Sequence, residues 1–131
     1  MTIRGLVNAF LEAEVEILIR GSERCPDQTV RAIIDTGFDG YLSLPPNTVA
    51  ELALPFLDRQ KSMAFGGAVS LLDVHDSIIV FGGIEQYVPC VAADNPPLIG
   101  MALLHRFHLS IDIISDGVVE LTHRPDESIA G

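Results

Sequence analysis

The stretch RAIIDTGFDGYLSLPP (31–46) decides how this chain is read. Its first residues, together with Thr29 and Val30, make an apolar, β-branched run suited to a strand inside a sheet. A carboxylate, Asp35, ends that run. Burying a carboxylate is costly unless it is paired or hydrogen-bonded. Thr36 offers a hydroxyl and a backbone N–H, and Gly37 permits a close backbone approach that a Cβ would block. Asp35-Thr36-Gly37 can therefore hold one carboxylate rigidly where a strand becomes a turn. Taken alone, the tripeptide favours an Asx-type turn in which Asp35 caps its own backbone. Asp39, before Gly40, reads first as another turn residue and second as a further acidic group near the site.

The rest of the composition bounds what such a carboxylate can serve. At 131 residues the chain suits one domain with one core. Hydrophobic residues make up 48% and charged residues 20%, a folded rather than a disordered composition. Eight Lys and Arg stand against 18 Asp and Glu, a net charge of −10. A surface this acidic repels phosphate backbones and anionic membranes, which argues against nucleic acid and membrane as partners. Cys25 and Cys90 form no Cys-x-x-Cys pair. Glu12, Glu14 and Glu16 interrupt any apolar leader, and no run is long and apolar enough to span a bilayer. The expectation is a cytoplasmic protein with two reduced thiols.

Outward from 31–46 the chain alternates short apolar runs with glycine and proline. LEAEVEILIRG (11–21) alternates apolar and acidic residues through Glu16, the period of a strand with one wet face. TVRAII (29–34) and GYLSLP (40–45) predict two more strands. PNTVAELAL (46–54) predicts a short helix with Pro46 in its first turn. Gly66-Gly67, between Met63-Ala64-Phe65 and Ala68-Val69-Ser70, suits a tight hairpin turn. DSIIVFGG (76–83) and QYVPCVAA (86–93) predict strands around Gly82-Gly83. NPPLIGMALLHRF (95–107) runs from a loop through an apolar pair into a second short helix. HLSIDII (108–114) and GVVELTHR (117–124) predict a last hairpin, followed by a polar tail over 125–131. The pattern is mainly β, with many short strands and two short helices, and predicts a small barrel or sandwich.

Other chemistries find little support. His75, His105, His108 and His123 lack a recognised ligand spacing, so no metal is expected. Ser43, Ser70 and Ser110 have no nucleophile-elbow context. Neither Phe-Gly-Gly sequence carries the lysine of a phosphate loop, and no cofactor is expected.

Four landmarks in order carry a resemblance: AIIDTG (32–37), YLSLPPNTVAEL (41–52), MAFGGAV (63–69) and PLIGMALLHRFHLSIDI (97–113). With them the chain resembles the retropepsin-like aspartic proteases of the short bacterial and archaeal type, over nearly its whole length. The resemblance implies a small closed acid-protease barrel over residues 1–124. It also implies a homodimer, because only one Asp-Thr-Gly is present and the chemistry needs two carboxylates. Two carboxylates about 3 Å apart cannot both ionise; one serves as acid and the other as base. Asp35 from each subunit would then activate a water against a peptide bond. Thr36 would hydrogen-bond across the two-fold axis, and Gly37 would let the two loops approach. Phe65, Gly66 and Gly67 would form a flap over an extended peptide or unfolded protein. Leu98 and Ile99 would pack beside the loop, and with Phe38 they complete the expected substrate-binding set. Two positions depart from the family. Phe38 stands where a small or hydroxylic residue is usual, and Met101-Ala102 stands where the retroviral type has a charged pair. A non-catalytic dimeric module that binds peptides or proteins on the same fold is the alternative reading.

Overall fold

Alternation governs the strand that anchors the molecule. Ala13, Val15, Ile17 and Ile19 are buried, while the residues between them are half-buried or exposed. In the computed structural model, which describes residues 1–63 and 66–125, this strand is β2 (Ala13–Ile19). β1 (Thr2–Val7) precedes it and β3 (Gln28–Ile34) follows. Next come β4 (Leu42–Leu44), α1 (Pro46–Glu51), β5 (Phe56–Met63), β6 (Val69–Phe81) and β7 (Ile84–Ala92). β8 (Leu98–Ile99), α2 (Met101–Leu104), β9 (Phe107–Ile111) and β10 (Val118–His123) complete the chain.

The strands pair in the order β5-β6-β7-β4-β8-β3-β2-β1-β10-β9, and β6 also pairs with β2. That extra pairing, Leu18 with Val80 and Ile19 with Ile79, closes a six-stranded barrel. Of barrel and sandwich, the closed form is the one the chain adopts. The barrel interior holds Ile17, Ile19, Leu42, Ile79, Phe81 and Ile99, each almost fully buried. Burying a side chain of this size contributes about 1.5–3 kcal/mol. The buried Ser43 and Ser77 hydroxyls are satisfied: Ser43 Oγ donates to Asn95 Oδ1 at 3.2 Å and Ser77 Oγ to the Val88 carbonyl at 2.7 Å.

Two features extend from the ring. β5 and the first part of β6 form an arm that pairs from Phe56–His75 out to Met63–Val69. On the other side β1, β10 and β9 continue the sheet from β2. β1 is a strand that the hydrophobic pattern did not reveal, because of its residues only Val7 is buried. α1 is shorter than expected; it stops at Glu51, and Ala53 has φ +51°. Gly82 and Gly83, with φ of +59° and +79°, make the expected turn between β6 and β7.

Cys25 and Cys90 are both free thiols. Burial in β7 pushes the Cys90 thiol up to about 12. No helix among the described residues is long and apolar enough to cross a membrane. Residues 126–131 of the expected tail, and Phe65 of the expected flap, lie outside the described residues.

Candidate active site

β3 carries its apolar run up to Asp35, and over its last residues it pairs with β8. The two strands run parallel, Ile33 beside Leu98 and Ile34 beside Ile99. The Asp35 N–H then donates to the Ile99 carbonyl at 2.9 Å. β4 returns on the other side of β8, antiparallel, with Leu42 opposite Ile99 and Ser43 opposite Leu98. β8 is thus held between the strand entering the Asp35 loop and the strand leaving it.

The loop is braced from beneath along its length. Met101 N–H donates to the Phe38 carbonyl at 2.8 Å, Ala102 N–H to the Gly40 carbonyl at 3.1 Å and Gly100 N–H to the Tyr41 carbonyl at 3.1 Å. A Cβ on Gly100 would strike the Gly40 carbonyl oxygen and come within 2.6 Å of the Phe38 ring, so only glycine allows this approach. Ile99 is fully buried under the loop and Leu98 is half-buried. Both residues pair with the strands on either side of the Asp35 loop.

Asp35 itself is half-buried, whereas Thr36 and Gly37 are exposed. Gly37 N–H donates to Asp35 Oδ1 at 2.9 Å, and Phe38 N–H donates to the Asp35 carbonyl at 3.1 Å. The Asx-type turn is therefore real, and it fixes one carboxylate oxygen. Among the described residues no hydrogen bond reaches Oδ2. The turn and a chemical role are compatible: the backbone orients the carboxylate and leaves one oxygen available.

Two grooves flank this loop. The first, about 380 Å³, is lined by Asp35 and Thr36 together with Ile33, Leu11 and Ile113. The second, about 570 Å³, is lined by Phe38, Asp39 and Tyr41 on the loop side and by Leu57, Asp58 and Gln60 of β5 on the arm side. Phe38 is half-buried and Asp39 exposed. Gly66 and Gly67 lie at the far end of the arm, with φ of +93° and +87°. Among the described residues no three His, Cys, Asp or Glu side chains converge as metal ligands would.

Several groove residues escaped the sequence reading. Leu11 reaches the first groove from a turn organised by Asn8, whose Oδ1 accepts the N–H groups of Phe10 at 2.9 Å and Glu12 at 3.0 Å. Asn8 Nδ2 donates to Glu12 Oε1 and Glu14 Oε2 at 3.0 and 2.8 Å, and Leu11 takes φ +61°. An asparagine just ahead of a strand is the signal that could have marked this turn. Ile113, Tyr41 and Leu57 carry no such local signal.

No protein-family model matches the chain, and no curated protein matches its sequence. Among solved structures it is similar to a retropepsin-like aspartic protease from Rickettsia conorii, at TM-score 0.58 and 16% identity, over 92% of this chain and 89% of that one. At that identity the likeness concerns the fold. The six-stranded ring, the two-residue β8 under the Asp35 loop and the projecting hairpin arm are therefore those of a chain with the retropepsin-like aspartic protease fold.

Proposed function

We propose that this protein is an aspartic endopeptidase that acts as a homodimer, with Asp35 of each subunit meeting at a two-fold axis. The observation that carries this reading is the position of Asp35. One of its oxygens is held by the turn, the other takes no hydrogen bond among the described residues, and it lines one groove while Phe38, Asp39 and Tyr41 of its loop line a second against the arm. In the dimer the two carboxylates share a proton. The ionised one takes a proton from a bound water, which attacks the peptide carbonyl. The protonated one hydrogen-bonds the carbonyl oxygen, and a proton later reaches the leaving nitrogen. Thr36, exposed beside Asp35, would hydrogen-bond across the axis. An extended peptide would lie between the loop and the arm and add to it as a strand. The two free thiols support a reducing compartment, and we place the protein in the cytoplasm.

The test is Asp35→Asn. Wild type should cleave unfolded protein at acid pH in a pepstatin-sensitive way. The variant should keep its sedimentation as a dimer and lose at least about 10³-fold in kcat/KM. A wild type that binds peptides as a dimer without cutting them at any pH from acid to neutral would instead be the non-catalytic module. A wild type that sediments only as a monomer would sink both readings.

A further inference from the structure

Phe38 stands at one of the two positions where this chain departs from the family pattern it resembles, and its surroundings are built for it. A Cβ on Gly40 would fall 2.6 Å from Phe38 Cζ and 2.7 Å from Cε1, and a Cβ on Gly100 would fall 2.6 Å from Cδ2. Neither glycine has positive φ, so it is room for the ring that calls for glycine at position 40 and helps to do so at position 100. The ring is seated between the backbone of its own loop at Gly40 and the distant backbone at Gly100, and the residue lines the larger groove. Leu57, Val74, Val91 and Tyr41 line the same groove. Asp39 and Asp58 bring carboxylates to the same groove. Asp58 Oδ1 accepts the Arg59 N–H at 2.7 Å. The cation among the lining residues, Arg59, is already engaged: its Nε bonds Asp73 Oδ1 at 3.2 Å.

We propose that Phe38 is a specificity-determining residue of this groove, which accepts an arginine or lysine side chain of the bound peptide. The stem of that side chain lies along Phe38 and Tyr41, and its cationic end meets Asp39 and Asp58. Long basic side chains bury their methylenes on apolar surface and keep the charge at a polar rim. Aromatic rings add attraction for the cation. An apolar residue would give the two carboxylates no countercharge, and an acidic one would be repelled. The inference rests on the reading of the cleft as a peptide site.

The experiment uses the Asp35→Asn chain, so that bound peptides stay intact. Short fluorescent alanine-rich peptides carry Arg, Lys, Leu or Glu at one position at a time, and anisotropy reads their affinity. One position is expected at which Arg and Lys bind at least about fivefold tighter than Leu, with Glu weakest. Adding Asp39→Asn and Asp58→Asn should erase the advantage of Arg over Leu. Phe38→Ala should erase the advantage of Leu over Ala at the same position; Phe38→Leu, which keeps the seat filled, should retain most of it and guards against a folding defect. Equal affinities at every position, no binding, or a basic preference untouched by these substitutions overturns the inference. Wild-type cleavage is scored separately. Cleavage without the basic preference defeats this inference alone, and selective binding without pepstatin-sensitive cleavage defeats the peptidase reading alone.

Discussion

The Asp35 loop and the β5–β6 arm face each other across the larger groove, and they use glycine in opposite ways. In the loop, Gly100 and Gly40 let backbone and ring come close, and backbone hydrogen bonds tie residues 35–41 to residues 99–102. On the arm, Gly66 and Gly67 have open space where a Cβ would go and serve only to reverse the chain at positive φ. Leu57, Val69 and Leu71 are exposed on the arm, and among the described residues no strand pairs with the outer edge of β5. Under the proposed function the carboxylate, which would meet a partner, needs a fixed position, whereas the arm, which would cover a peptide, needs freedom to lift. Few buried contacts make local opening inexpensive, so the two regions divide rigidity and motion between them.

Substitutions can break this contrast. Gly100→Ala should have the largest effect on stability, because the added methyl meets backbone that cannot turn away. A loss of about 3 kcal/mol is expected, which is a fall of roughly 10 °C in Tm for a domain of this size. A melt within a degree or two of wild type would mean that the loop is not clamped as described. Gly40→Ala meets only the Phe38 ring and should cost less, about 1–2 kcal/mol. Because the obstacle is a side chain, Phe38→Ala should relieve it, with a coupling of at least about 0.5 kcal/mol in a double-mutant cycle. Additive effects would show that the ring is not seated on Gly40. On the arm, Gly67→Ala should cost about 1 kcal/mol through backbone conformation alone. Its mark should appear in faster amide exchange within β5 and the outer part of β6, with exchange in β3 and β8 unchanged.

The smallest effect sharpens the contrast from outside both regions. Asp27 accepts the Gly21 N–H and then the Arg20 guanidinium, both at 2.9 Å, and these hold its carboxyl below the usual range. A lowered folded-state value stabilises above the unfolded value, and the benefit disappears as pH falls through the folded value. Asp27→Asn should therefore lower the urea midpoint slightly at about pH 7 and leave it unchanged at about pH 2. A difference persisting at the acid end would mean that the Asn disturbs packing rather than charge.

Much of the architecture was legible because local patterns were allowed to express themselves. The alternation of β2 survives in its burial, and Pro46 does open α1. Asp35 was legible as a carboxylate at a strand end, and the Gly37 bond shows why the simplest turn reading was also correct. β1 was not legible, because Arg4 and Gly5 interrupt its apolar pattern and pairing with β10 and β2 supplies what the pattern lacks. β8 is two residues long, too short for any periodicity, and only the ordered resemblance pointed to it.

By itself, then, the sequence determined the mainly β character, the turn that holds Asp35 and the glycine-tipped hairpin, since each depends on neighbours a few residues away. Tertiary structure alone decided three other things: closure of the barrel through β6 and β2, support of the loop by residues 97–102, and the seat of Phe38 between Gly40 and Gly100. All three rest on contacts between segments far apart in the chain, the seat of Phe38 through its Gly100 side. Their strength lies in shape and hydrogen bonds that exist only once the strands have met, and no local periodicity records them.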